Sequence, residues 1–416
     1  MTRPRLRLFV NTTPLQRSRE YRWYFGGLAS SWFARQATIV AVPYQVYEMT
    51  GSTLSVGLVG IAQFVPLLVT SVIGGAMADA FDRRKVLVLT HLALALTALG
   101  LAWNAARDPA LWPLYALSGL NAAIFSINAP TRNSILPVMV GRRLMPSSLA
   151  LNQTLSNVAK AVGPAAAGVL IASAGLSYTY IVEAVLFAIS ALLVTRIGPY
   201  RPEGGGQRVS IASIKDGFSF IRGHRLLQSV FLVDLNATIF GMPRALFPAF
   251  GTTVLGGDAG VVGLLFSAPG AGALLAAVTS GWVPRVQRQG RAVLTAVATW
   301  GVAMAAFGLT SSAALAVGFL AIAGGADVIS AVFRMTILQL SIPDTLRGRV
   351  SGSYSAVVSG GPRLGDFEAG LVASLTSVPF SVVSGGLACV IGSAAIGRWF
   401  PELLRYRTDD SPCSPT

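Results

Sequence analysis

Gly75-Ala76-Met77-Ala78-Asp79-Ala80-Phe81-Asp82-Arg83-Arg84-Lys85 is a charged turn set between two long apolar runs, and its outline returns at Gly281 to Arg291, 206 positions later. The run ahead of it returns too: Val56-Gly57-Leu58-Val59 aligns with Val262-Gly263-Leu264-Leu265 at the same offset, without a gap as far as Gly75 and Gly281. A further match at an offset of 202 sets Arg132 on Arg334, Ile135 on Ile337, and Gly163, Ala167 and Gly168 on Gly365, Ala369 and Gly370. Single matches arise by chance among Ala-, Gly- and Leu-rich helices; three at nearly one register do not. The chain therefore reads as a duplicated membrane bundle with parallel repeats, which makes it a transporter candidate.

Composition agrees. With 53% hydrophobic and 12% charged residues among 416, and a mean hydropathy of +0.62, the chain carries more apolar surface than a soluble core can enclose. Apolar runs of about 20 residues predict twelve helices, near 22–48, 54–78, 86–106, 111–137, 148–173, 178–198, 227–250, 259–282, 292–310, 313–340, 350–375 and 379–399. The predicted fold is an all-α integral membrane protein. A cytoplasmic arm (1–21), a six-helix bundle (22–198), a linker (199–226), a second six-helix bundle (227–400) and a tail (401–416) follow from that reading.

Lys and Arg set the orientation, because they are retained on the cytoplasmic side. With both termini inside, the basic groups at Arg3 to Arg22, Arg83 to Lys85, Arg142-Arg143, Arg196 to Arg225, Arg285 to Arg291, Arg347 with Arg349, and Arg398 to Arg407 are all cytoplasmic, and Arg107 alone falls outside. The net charge of +15 is then explained by topology and by anionic lipid. No nucleic-acid partner is expected, since the basic residues are dispersed over loops and tails. Residues 1–22 lack the apolar core and cleavage site of a signal peptide, so the first helix is expected to direct insertion. In the linker, Pro199, Pro202 and Gly204 to Gly206 form a hinge, and Ile211, Ile214, Phe218 and Ile221 recur at helical spacing, as in an amphipathic helix on the inner surface. His91 and His224 fall near cytoplasmic helix ends and read as interfacial residues. Cys389 and Cys413 have no disulfide or metal-ligand spacing, so no metal and no cofactor are expected.

The Gly75-x-x-x-Asp79-x-x-x-Arg83-Arg84-Lys85 segment resembles the loop signature of the major facilitator superfamily, and the resemblance extends over essentially the whole chain. Within it, Val42-Pro43-Tyr44-Gln45-Val46-Tyr47, Gly241-Met242-Pro243-Arg244-Ala245-Leu246-Phe247-Pro248 and Pro343-Asp344-x-x-Arg347-Gly348-Arg349 resemble the branch that holds bacterial enterobactin exporters and macrolide efflux pumps. Siderophore and drug exporters share these features. Gly163-Pro164-Ala165-Ala166-Ala167-Gly168 is similar to the superfamily's antiporter signature, with Ala167 where that signature has glycine. As a structural feature, the same stripe of small residues permits close helix contact. The resemblance implies that Asp79 accepts hydrogen bonds from an arginine such as Arg132 and from the amino end of the eleventh helix, latching the halves on the cytoplasmic side. The position equivalent to Asp79 in the second half is Arg285, so the latch is expected in the first copy.

An ionisable side chain at the centre of a bilayer costs roughly 2.5–3.5 kcal/mol on insertion scales unless it faces a partner or water. Arg35, Arg132, Lys160, Glu183, Asp234, Arg244, Asp327, Arg334, Arg363, Asp366 and Glu368 all fall within spans, which points to a hydrated central cavity. Asn121, Asn128 and Arg132 share one helical face, as do Asp327 and Arg334. Gly360, Gly361 and Pro362 interrupt the eleventh span, a pointer to unwound backbone lining a cavity. Asp234, Asp327, Asp366 and Glu368 are candidates for coupling to protons; each has the alternative role of a permanent ion pair, which is favoured for Asp327. Arg35, Lys160, Arg244 and Arg363 are candidates for contact with an anionic catecholate, with Phe64, Phe125, Phe240, Phe247 and Tyr354 as aromatic surface.

The expected function is proton-driven export of a small molecule by alternating access, from a bacterial inner membrane and by a chain acting as a monomer. A siderophore of the enterobactin type is the leading cargo. A broad drug-efflux pump and a non-transporting scaffold or sensor are the alternatives. No enzyme is expected: the chain has no phosphate-cradling loop, zinc-type histidine spacing or nucleophile–histidine pairing.

Overall fold

The structure is a computed structural model whose description covers residues 11–201 and 219–407, excluding the side chains at 71–76, 78, 79, 284, 344–349, 351–353 and 356. The described residues are all-helical. Helix α1 (Arg19–Thr50) is followed by α2 (Thr53–Ala80) and α3 (Arg83–Ala105). The stretch Leu111–Thr195 then runs helically except at Gly141 (φ 68°) and Gly175 (φ 86°), where the backbone enters a region closed to most side chains. Those two breaks divide it into α4 (111–140), α5 (142–174) and α6 (176–195). The second half holds α7 (Arg225–Phe240 and its continuation to Val254), α8 (Ala259–Val278), α9 (Gln289–Gly308), α10 (Ala313–Ser341), α11 (Asp344–Leu375) and α12 (Val378–Trp399). Among the described residues, eight stretches, with Leu111–Thr195 counted as one, are long and apolar enough to cross a membrane. Arg19–Thr50 and Asp344–Leu375 are as long, but more polar, because they carry central charges.

The repeat register appears in space. Helix α5 crosses α8 where Gly168 meets Gly263, and α11 crosses α2 where Gly370 meets Gly57. These are the same contact in the two copies, since Gly57 aligns with Gly263 and Gly168 with Gly370. Helices in lipid gain little from apolar burial against one another, so backbone approach through small residues supplies the packing. Two hydrogen bonds tie the halves: Thr53 donates to the Gly370 carbonyl at 3.1 Å, and the Ala165 N–H donates to Ser267 Oγ at 2.7 Å. Pro164 has no N–H to give the Lys160 carbonyl, and Gly270 of α8 packs against that oxygen.

The break in a span lies elsewhere than the sequence indicated. Helix α11 is continuous through Pro362; its Gly360, Gly361 and Gly365 serve as seats for Phe64, Thr238 and Ile239. Helix α7 is the one that unwinds. It stops at Phe240, passes through Gly241, Met242 and Pro243, and restarts as a 3-10 turn at Arg244–Leu246 that leads through a short α turn into a π turn at Phe250–Val254. Pro243 removes a donor and disfavours helix in the residue before it. The carbonyl freed at Gly241 is taken by Trp300 Nε1 at 2.7 Å.

Of the expected linker helix, Ile211, Ile214 and Phe218 lie outside the described residues, as does Cys413. Nearby, the basic residues of the loop motif hold the first half together. Arg83 donates to the Ser134 carbonyl (3.2 Å), and Arg84 to that of Ile197 (3.1 Å). Asp82 caps α3 through the Arg84 N–H (3.0 Å) and also accepts from Tyr200 N–H. Glu20 accepts from the Gly198 N–H and the Tyr200 hydroxyl; burial and that acceptor raise the Tyr200 phenol above its ordinary range.

Candidate substrate and coupling site

Four basic side chains proposed from sequence lie within the spans and within electrostatic reach of one another. Arg35 (α1) lies within electrostatic reach of Arg363 (α11), Arg244 (α7) and Arg132 (α4). Lys160 (α5) is within reach of Arg244, Arg35 and Asp327 (α10). Both halves contribute. Lys160 and Arg244 are exposed although the residues around Arg244, from Gly241 to Phe250, are buried. Exposure at mid-helix depth in a membrane bundle means contact with an internal, water-accessible space. The Arg35 guanidinium lies 3.5 Å from the centre of the Phe125 ring, a cation–π contact that leaves it without an ion-pair partner among the described residues.

The acids divide by environment. Asp234 is fully buried and pairs with Arg334 at 2.8 Å; both side chains are at most 3% exposed. Arg334 Nη1 also donates to Ser330 Oγ at 3.1 Å, and Tyr354 lies within hydrogen-bond reach of the same arginine. Asp327 stands 3.8 Å from the same arginine with a side chain 38% exposed. The tight partner of Arg334 is thus Asp234, across from α7, while Asp327, on the same face of α10, is the more distant one. Arg132, the repeat equivalent, is differently placed: it lies near Phe125 and Trp32, and its buried Nη1 has no hydrogen-bond partner. The side chain of Asp79 lies outside the described residues.

Asp366 takes a role that spacing did not reveal. Its Oδ1 accepts the Ala245 N–H at 2.9 Å, capping the restarted section of α7. Arg244 and Arg363 are both within electrostatic reach. Arg363 itself donates to the Ser359 carbonyl one turn back. Glu368 is half-buried and forms no ion pair among the described residues.

Two further groups have partners that the sequence did not indicate. Glu183, at zero exposure on α6, is bonded through Oε1 to the Thr38 hydroxyl, while Oε2 has no partner. His91 is 3% exposed rather than interfacial. Its Nε2 meets Asn128 Nδ2 at 3.2 Å and its Nδ1 meets Ser190 Oγ at 3.1 Å. Asn128 donates, and Ser190 spends its proton on the Gly27 carbonyl; the imidazole is therefore neutral with hydrogen on Nδ1. No alignment between Asn128, His91 and Ser190 is visible without the fold, because they come from three helices.

Of the antiporter-like residues, Gly163 receives the side chain of Gln36, Pro164 frees the carbonyl on which Gly270 rests, and Gly168 forms the crossing with Gly263. Gly75 and Lys85 of the loop motif fall at the end of α2 and the start of α3; Lys85 is exposed.

Two bundles joined through small-residue crossings around a charged, water-accessible centre define a secondary transporter. The transmembrane secretion effector family matches residues 14–409, and the chain belongs to that family, within the major facilitator superfamily. It is 30% identical over 374 residues to the enterobactin exporter EntS of Citrobacter koseri, covering 88% of each chain, and 29% identical over the same length to EntS of Escherichia coli O157:H7. Among solved structures, the nucleoside transporter NupG aligns with a TM-score of 0.70 at 14% identity, over 95% of this chain and 100% of that one. An inward-facing bacterial homologue of the lysosomal transporter Spinster aligns with a TM-score of 0.70 at 15% identity, over 92% and 98%. At these identities the structures speak for the fold. The chain is a multi-pass membrane transporter and not an enzyme.

Proposed function

We propose that this transporter exports an anionic siderophore of the enterobactin type from the cytoplasm across the bacterial inner membrane, as a monomer, in exchange for protons. The observation that carries the reading is that Arg35, Lys160, Arg244 and Arg363, drawn from both halves, lie within electrostatic reach of one another. A surplus of cations in an enclosed, water-accessible space attracts a multiply charged or strongly hydrogen-bonding anion and does little for a neutral apolar one. Likeness to the EntS exporters supports the same class of cargo.

Both termini are taken as cytoplasmic, on the distribution of basic residues. The crossings at Gly57 and Gly168 then belong to the outer half of the bundle, which makes this conformation closed toward the outside. Substrate enters from the cytoplasm, the halves rock so that the two glycine crossings part, and protonation of an in-span acid from outside resets the pump. Asp234, Asp327, Asp366 and Glu368 remain the coupling candidates. Asp366 is favoured over Asp234, which is committed to Arg334. Asp79 serves as the cytoplasmic latch of the opposite state.

Expression in iron-starved bacteria deleted for their own enterobactin exporter tests the cargo. Restored enterobactin in the medium supports the reading. Unchanged secretion, with the protein present in the inner membrane and macrolide resistance raised, supports drug efflux instead.

A further inference from the structure

Asp366 holds a backbone N–H rather than a cation, although two arginines stand near it. The bond goes to Ala245, in the first turn after the break in α7, and the residue just before it is Arg244, whose side chain is exposed to the central space. The amide groups at the start of a helical section carry a partial positive charge and lack partners within the helix. A carboxylate satisfies them well; a protonated carboxyl loses the charge assistance that makes the bond strong. Asp366 is also locked from the other half: Gly60 of α2 packs against its Cβ and against the Arg363 carbonyl, and Gly57 packs against its own carbonyl.

We infer that Asp366 is a positioning residue, which in its ionised form caps the broken seventh helix so that Arg244 faces the substrate, and which on protonation lets that section go. The inference rests on the proton-coupled export proposed above and gives it a sign. Ionised Asp366 and bound anion go together. A proton taken up at Asp366 withdraws Arg244 and so opposes the anion, which is the mutual exclusion that antiport needs. The groups facing Asp366 are Arg244 from α7 and Arg363 from its own helix; α2 brings only glycines and uncharged residues at this level. Arg244 is in turn within reach of Lys160 and Asp327, so the displacement alters the whole cationic centre.

Two measurements on the purified protein test this. In hydrogen–deuterium exchange, peptides covering 241–250 are protected in the wild type and in Arg244→Ala, and lose protection in Asp366→Ala. Asp366→Asn, neutral like the protonated acid, loses part of that protection and binds as weakly as the acidified wild type. For enterobactin binding, Asp366→Ala and Arg244→Ala each weaken affinity, and the double variant is no weaker than the worse single one. Wild-type affinity falls on acidification, while that of Asp366→Asn does not. Unchanged exchange in Asp366→Ala, additive losses in the double variant, or an acid-side fall kept by Asp366→Asn would each overturn the positioning role. A wild type that binds no enterobactin at any pH counts against the cargo, while the exchange measurement still decides the cap.

Discussion

Gly168 of α5 and Gly263 of α8 meet so closely that a Cβ added to Gly168 would lie 2.7 Å from the Gly263 Cα, and one added to Gly263 would lie 2.8 Å from the Gly168 Cα. Real Cβ atoms do not approach that near, so any side chain here forces the helices apart. The partner crossing at Gly57 and Gly370 is nearly as tight. Together they hold the two halves in close contact.

Gly168→Val and its repeat equivalent Gly370→Val are expected to lower transport by about tenfold or more, since overpacking costs roughly 1–3 kcal/mol and here acts on one conformation only. Insertion in the membrane should be normal. A cysteine placed in the outer half of the central space should label faster with a membrane-impermeant maleimide in both variants. Wild-type labelling with wild-type flux would remove the crossings from the mechanism.

Arg334→Ala should be destructive in a different way. It leaves Asp234 charged, buried and alone, and breaking a buried pair by removing one partner costs roughly 3–5 kcal/mol. Thermal unfolding in detergent should shift down sharply. Asp234→Asn, which keeps a hydrogen-bond acceptor, should be milder. Equal stability of wild type and Arg334→Ala would mean the pair contributes nothing to the fold.

Lys160→Ala and Arg244→Ala change exposed cations without disturbing the core. Each is expected to weaken binding of an anionic cargo by roughly tenfold to a hundredfold, the range of about 1.5–3 kcal/mol for hydrogen bonds to charged groups, with thermal stability retained. Isothermal titration with enterobactin reads this directly. A neutral macrolide bound equally by all three proteins would leave the charge argument intact; enterobactin bound equally by all three would not.

Asp79→Asn should abolish net transport at normal membrane abundance, because a neutral side chain loses the charge that latches the cytoplasmic side. Its repeat equivalent, Arg285, sits in a 3-10 turn and is exposed, and Arg285→Gln should transport nearly normally. Vesicle flux for the two variants side by side decides between a latch in the first copy and none.

Much of the fold was legible because duplication and hydropathy are periodic. Gly57, Gly168, Gly263 and Gly370 could be paired by register alone, and they form the crossings. The four cations were legible as well, since a charge inside an apolar run stands out whatever its neighbours. Partnerships between helices were not. Spacing placed Asp327 and Arg334 on one face of α10, where they lie 3.8 Å apart, but gave no sign of the shorter contact from Asp234 on α7. The broken span was misassigned for a related reason. Gly360, Gly361 and Pro362 look like a break, but the membrane bundle absorbs Pro362 in a continuous helix and uses the glycines as packing seats. Gly241-Met242-Pro243 breaks α7 because Asp366 and Trp300 are there to receive the backbone groups set free. Glu183 stood out as a charge within a span and His91 read as interfacial, but nothing beside them in the sequence marks their partners, Thr38 on one side and Asn128 with Ser190 on the other.

Export coupled to protons is tested most directly by purified protein in proteoliposomes with an imposed pH gradient, acidic inside, and labelled enterobactin outside. Enterobactin should accumulate in the lumen against its gradient, with protons leaving as it enters, and both movements should stop when an ionophore collapses the gradient. Enterobactin that only equilibrates, at a rate indifferent to the gradient, would contradict a proton-driven exporter.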